Sequence, residues 1–197
     1  MIVALPANEV SWEDLQTVFG KRGEAAKCQC QRYKIRHAQW LSHTLADRTH
    51  RLRQQADCGQ PDSGTTSGLV GFLDGEPVGW CAVEPRTEYP RLLDTKVPWL
   101  GREEDPSDPG VWAVTCFVTR AGFRRQGVSR ALARASVDFA RKGGARALEG
   151  YPMLTAEGQD IPWGELHVGS RGIFADAGFR EVAKPTPRRV VMRIDFP

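Results

Sequence analysis

Apolar runs and helical stripes alternate along this chain and outline most of its elements. Gly68 to Leu73 and Val78 to Val83 are two apolar runs separated by Asp74-Gly75. That pair suits the positive φ angles of a tight turn, so the stretch is predicted to be a β-hairpin. Val111 to Thr119 predicts a further strand and Ala145 to Tyr151 another, with shorter apolar runs at Ile2 to Leu5 and Arg189 to Phe196 supplying a first and a last strand. Val128, Leu132, Ala135, Val137 and Phe139 provide most of the apolar face of a helix from Val128 to Lys142, which Gly143-Gly144 stops. Ser11, followed by acids, reads as the N-cap of a helix reaching about Phe19. A polar helix is expected from Ser42 to Ala56, and a short one from Val168 to Ala177, closed by Gly178. Cys58 to Ser67 and Pro152 to Glu165 read as loops. Glu84 to Pro109 is a long charged and proline-rich connection, and substrate-binding elements are expected there.

Helices interleaved among strands around a central hairpin give a mixed α/β fold. The length of 197 residues and a hydrophobic content of 41% fit one domain with a sizeable core. Charged residues make up 26% of the chain with both signs interspersed and a net charge of +3, a balance that opposes a nucleic acid or a membrane as main partner and suits a small anionic ligand. No apolar run approaches the ~20 residues of a membrane span, and Met1 to Glu9 lacks a basic leader, so a cytoplasmic protein is expected. The five cysteines are expected to be reduced thiols. Cys28 and Cys30 stand too close for the usual structural zinc spacing, and no metal is expected.

The segment with most chemical content is Arg124-Arg125-Gln126-Gly127-Val128-Ser129, between the strand ending at Thr119 and the helix. A basic, glycine-containing turn that opens straight into a helix brings free backbone N–H groups and the positive end of the helix dipole to one point, which makes an anion site. Gly127 lets a phosphate approach the backbone, while Arg124, Arg125 and Arg130 offer charge-assisted hydrogen bonds. A solvated basic helix start has the same composition. The turn has neither the Gly-Lys-Ser/Thr ending of a nucleotide P-loop nor the three glycines of a dinucleotide fold.

Arg124-x-x-Gly127-x-Ser129, after a strand and before a helix, resembles the Gln/Arg-x-x-Gly-x-Gly/Ala signature of the GCN5-related N-acetyltransferases (GNAT), with Gly178-Phe179 matching a downstream pair of that family. The similarity covers roughly Leu69 to Phe196. It implies a central mixed sheet, flanked by helices, in which two parallel strands splay apart around the pantetheine arm of acetyl-coenzyme A. Here those strands are Val111 to Thr119 and Ala145 to Tyr151. Residues 68–197 would form the core with the acetyl-coenzyme A site and residues 1–67 a helical acceptor-side region. The resemblance further implies that main-chain groups of Phe117, Val118 and Thr119 hold the arm, and that the amides of Gln126, Gly127, Val128, Ser129 and Arg130 meet the pyrophosphate. Ser129 replaces the usual Gly or Ala, and its hydroxyl can itself donate to a phosphate. Phe174 stands where many members carry a proton-donating tyrosine, so the usual acid is absent.

Acyl transfer to an amine requires removal of a proton from the attacking nitrogen and departure of a thiolate. Glu149, at the C-terminal end of the second splayed strand beside Tyr151, is the first candidate base; a structural ion pair with an arginine is its alternative role. Glu84, at the exit of the hairpin, is the second choice. His167, at the position of a family asparagine near the coenzyme arm, and Ser170 are candidate donors to the sulfur. Cys116 reads as an inert buried thiol. His43, Asp47 and His50 share one helical face, usually a solvated one. The acceptor is expected to be a small-molecule or protein amine, the protein a monomer or homodimer. Glu103-Glu104-Asp105 would suit a cationic acceptor. A sensor that binds acyl-coenzyme A without turnover is the alternative function.

Overall fold

The computed structural model describes residues 1–155 and 162–197. Its centre is a seven-stranded sheet in which β1 (Ile2–Pro6), β2 (Gly68–Leu73), β3 (Glu76–Pro85), β4 (Val111–Thr119) and β5 (Ala147–Gly150) follow one another. β7 (Arg189–Asp195) and then β6 (Arg180–Thr186) complete it. Every neighbouring pair is antiparallel except β4 and β5. The hairpin turns at Asp74 and Gly75, with φ angles of 51° and 83°. These are the left-handed angles its Asp-Gly pair predicts.

Helices cover both faces. α1 (Trp12–Phe19), α2 (Gly23–Cys28) and α3 (Leu45–Ala56) lie on one side, where Leu15, Phe19, Leu52 and Ala56 pack with Trp80, Cys116 and Val118. Ser11 caps α1 by accepting from the Asp14 amide at 3.0 Å. α3 starts later than its polar run suggests, because Thr44 and Asp47 form a reciprocal capping box that ends the preceding 3-10 turn. That box uses Asp47, and His43 precedes the cap in extended conformation, so His43, Asp47 and His50 do not share one helical face.

α4 (Val128–Lys142) covers the other face. It buries Val128, Leu132, Ala133, Ser136 and Ala140, whereas Ala135, Val137 and Phe139 of the expected stripe are only partly covered. The helix sits close to the sheet because β3 carries Gly79: a Cβ there would lie 2.4 Å from Val128 Cγ1 and 2.9 Å from Leu132 Cδ1. Gly79→Val is therefore expected to push the start of α4 outward and to cost about 1–3 kcal/mol through overpacking. A fall in unfolding temperature measures it.

The C-terminal part departs most from the expected elements. α5 (Trp163–Leu166) is a single turn across the end of the expected 152–165 loop, the rest of which lies partly outside the described residues. α6 (Arg171–Ala175) begins after Ser170 rather than at Val168, since Gly169 adopts φ +82° and breaks the helix there. Strand β6 lay hidden in the sequence because it is an edge strand whose residues are exposed or only half-buried, so no apolar alternation marks it. Among the described residues no helix is long and apolar enough to cross a membrane.

Candidate active site

The turn leaving β4 is built from left-handed residues. Gly122, Arg125 and Gly127 have φ angles of 92°, 62° and 80°, so successive N–H groups curve around one point. Gly127 is the N-cap of α4 and brings no side chain to cap it. The first intrahelical bond is from the Ala131 amide to the Gly127 carbonyl, leaving the amides of Val128, Ser129 and Arg130 to outside acceptors. Nothing lies within 4 Å of a Cβ built on Gly127. Arg124, Arg125 and Gln126 are exposed around this open concavity. The Val128 side chain faces the core, so its amide is the part that faces the turn. Three polar side chains of the turn have protein partners: Gln126 Nε2 donates to the Gly122 carbonyl at 3.1 Å, the Ser129 hydroxyl meets Thr119 Oγ1 at 3.3 Å, and Arg130 Nε donates to Asp176 at 2.6 Å.

β4 and β5 pair only from Val111–Ala147 to Val114–Gly150. Against β3, β4 carries one extra residue, Thr115, between the partners of Val83 and Ala82. Such a bulge bends a strand, and the two parallel strands part just beyond it. Arg120 donates to Val78 of β3, so by alternation the main chain of Val118 also faces β3, while Phe117 and Thr119 face the gap. Val118 is therefore turned away from the arm position expected of it. The Phe117 amide, one of the groups expected to hold the arm, donates to the His167 carbonyl at 2.6 Å and is engaged by the chain itself. Phe174 fills the deeper part of the gap, fully buried between Phe117 and Phe179 at centroid distances of 5.8 and 5.0 Å. Gly150 makes room for it, since a Cβ there would sit 2.1 Å from its ring. The His167 imidazole is buried too, 6.0 Å from the Tyr33 ring, and Ser170 is the residue before α6.

Glu149 corrects the first expectation for the base. Its carboxylate is 0% exposed. It accepts from Arg86 at 3.2 Å, Arg193 at 2.7 Å and the Tyr151 hydroxyl at 2.9 Å, and it is also paired with Arg102. Glu104 bridges the same three arginines from outside, so the middle of the acidic stretch 103–105 points into this cluster rather than to a cationic acceptor. Burial alone would raise the Glu149 carboxyl, but Arg102, Arg86 and Arg193 outweigh it and hold it below the usual carboxylate range. A carboxylate held charged and surrounded by donors is a poor proton acceptor.

Glu84 is tuned in the opposite direction. Burial raises it, Lys34 and the Tyr89 hydroxyl pull it back, and the balance is about 7. Lys34, itself buried, is its ion-pair partner and stands 4.7 Å over the Tyr89 ring. Tyr89 neighbours both Glu84 and Thr115, linking the carboxylate to the bulge where the strands part. Its hydroxyl has no well-aligned hydrogen bond among the described residues. Neither Lys34 nor Tyr89 carries a local sequence signal; only the long connection around Tyr89 hints at function. Nearby, the Cys116 thiol and the Trp80 indole hold the Cys30 thiol below its ordinary value, while the bond to Cys30 and burial push Cys116 up. Cys116 is thus a poor nucleophile.

A cavity of about 410 Å³ opens beside His167 and Tyr33, between the loop after α2 and the β6–β7 turn. A larger one of about 1110 Å³ includes Glu84 and Lys34, but it spans the sheet end near Trp112 and Lys142, far along α4 from Gly127. The smaller cavity adjoins the strand gap through His167.

A helix start presenting bare amides beside two diverging parallel strands defines an acyl-coenzyme A acyltransferase fold, and residues 32–151 match the Acetyltransferase (GNAT) family. The chain belongs to that family. The match begins well before Leu69, at Arg32, and ends at Tyr151, short of Gly178-Phe179. Among solved structures, an aminoglycoside acetyltransferase in complex with coenzyme A and kanamycin is 17% identical, with 99% of this chain and 95% of that one covered and a TM-score of 0.53. Ard1 from Thermoplasma volcanium is 14% identical over 98% and 97% of the two chains, at a TM-score of 0.50. An N-acetyltransferase from Staphylococcus aureus is 10% identical over 99% and 97%, also at 0.50. No curated protein matches the chain in sequence.

Proposed function

We propose that this protein moves the acetyl group of acetyl-coenzyme A directly to a primary amine of a small-molecule acceptor. The observation that carries the reading is the open turn at Gly127, whose free amides and flanking arginines suit the coenzyme pyrophosphate, directly beside the gap between β4 and β5. In this reading the pantetheine arm runs along the Thr119 and Phe117 side of β4 and displaces the His167 carbonyl from the Phe117 amide. That amide then polarises the thioester carbonyl. Residues 1–67 contribute the acceptor side through the loop after α2, and the whole chain acts as one unit.

The acceptor nitrogen attacks the carbonyl carbon, the carbon–sulfur bond breaks, and coenzyme A leaves as thiolate. The proton lost from the nitrogen passes toward Glu84 by way of Tyr89. A thiol of pKa ~8–9 leaves without full protonation, so Phe174 at the position of the family's tyrosine is compatible with turnover. His167 and Ser170 remain the nearest candidates for a donor to the sulfur.

A base with a pKa of about 7 has a pH signature. Glu84 accepts a proton only when ionised, so kcat/KM is expected to rise with pH and level off above about 7. Glu84→Gln should remove that limb and lower kcat by roughly 100-fold. An unchanged profile would discard Glu84 as the base. The second reading, a non-catalytic sensor of acyl-coenzyme A, draws on Phe174 and the engaged Phe117 amide; release of free thiol in the presence of an amine panel separates the two.

A further inference from the structure

Four arginines line the cavity of about 410 Å³ beside His167: Arg32, Arg91, Arg188 and Arg189. Glu165 also lines it and is paired with Arg188 at 2.6 Å. The other three guanidinium groups donate to main-chain carbonyls. Arg32 reaches Gly164 at 3.1 Å, Arg91 reaches Arg32 at 3.3 Å, and Arg189 grips Tyr151 through two nitrogens at 3.1 and 2.6 Å. A carbonyl oxygen orients a guanidinium without neutralising it. Among the described residues none of these three has a carboxylate within ion-pair distance, although the chain elsewhere pairs its arginines freely. Arg32, Arg91 and Arg189 are partly buried, so three positive charges are held in fixed directions around one partly desolvated space.

We infer that this cavity binds the acidic group of the acceptor, which is an amine that also carries a carboxylate or a phosphate. The inference rests on the proposed acetyl transfer and names the substrate class for it. Guanidinium groups recognise both oxyanions through paired N–H donors, and they repel a polycation. A cavity of this size suits a ligand of amino-acid dimensions. The three arginines come from different parts of the chain, the loop after α2, the connection after β3 and the start of β7, so their convergence was invisible to local sequence patterns.

The test compares matched pairs that differ only in the acidic group: phenylalanine with phenethylamine, histidine with histamine, and O-phosphoethanolamine with ethanolamine, with kanamycin as an acid-free polyamine. Thiol release from acetyl-coenzyme A is expected to show kcat/KM roughly tenfold or more higher for the acidic member of at least one pair. Whether the carboxylate or the phosphate pairs respond identifies the oxyanion. Arg91→Gln and, separately, Arg32→Gln should erase that preference mainly through KM, with coenzyme A affinity retained as the measure of an intact fold. Calorimetric titration of phenylalanine and O-phosphoethanolamine into protein saturated with coenzyme A reads the pocket without turnover, because the Gly127 turn is then occupied. Binding of an acid there, lost in the arginine variants but with no thiol release from any amine, would uphold the pocket and refute acetyl transfer. Equal or better turnover of the acid-free amines, or no binding and no preference, would overturn the inference.

Discussion

Gly127→Glu is expected to reduce coenzyme A affinity by at least about 100-fold while leaving the protein folded. The residue sits at φ +80° with open space around the position of its missing Cβ, so a side chain meets no packing clash. The backbone cost of a left-handed non-glycine residue is about 1–2 kcal/mol, which a folded domain tolerates. A carboxylate at this point would, however, occupy the concavity of free amides and repel the pyrophosphate. Gly127→Asn separates the effects, since asparagine tolerates the left-handed region and adds bulk without charge. Its affinity loss should be intermediate. Calorimetry with coenzyme A, alongside circular dichroism of the folded variant, measures both.

Glu149→Ala is expected to cost about 3–5 kcal/mol of stability, because it leaves three buried or half-buried arginines around an empty site. Glu104 still neutralises part of that charge from outside, so the variant should fold at low temperature and unfold at much lower urea. Glu149→Gln keeps the shape, loses the charge, and should fall between. The pH dependence has a definite sign. A carboxyl held below its ordinary value stabilises the fold above the unfolded pKa and loses that contribution as pH falls through the lower folded value. Wild-type stability should therefore drop on the acid side of the carboxylate range, and Glu149→Gln should flatten that drop. Turnover per folded molecule and its limb near neutral pH should stay as in the wild type. A shifted activity profile with unchanged urea midpoint would return Glu149 to the role of base.

The sequence carried the elements that are locally encoded. The Asp74-Gly75 hairpin, the strand into Arg124 to Gly127 and the helix from Val128 are written in turn chemistry and apolar pattern, and they form as expected. The bulge at Thr115 leaves no trace in composition, yet it decides where β4 and β5 part and which amides face the gap. Glu149 misled for a related reason: its position at the end of a splayed strand suggested an acceptor, but three arginines distant in sequence converge on it. The Glu84, Lys34 and Tyr89 group arises the same way, from segments brought together only by folding. Phe174 was legible as a departure from the resemblance, and the structure adds that its ring seals the space behind the Phe117 strand.

In the proposed reaction the acetyl group passes directly to the amine from acetyl-coenzyme A bound at the Gly127 turn. Initial rates of thiol release, with acetyl-coenzyme A and an amine bearing an acidic group both varied, test it most directly. Intersecting double-reciprocal lines and one N-acetylated product per thiol released are expected. Coenzyme A binding without thiol release across the amine panel, or parallel lines with an acetylated protein intermediate, would contradict direct transfer.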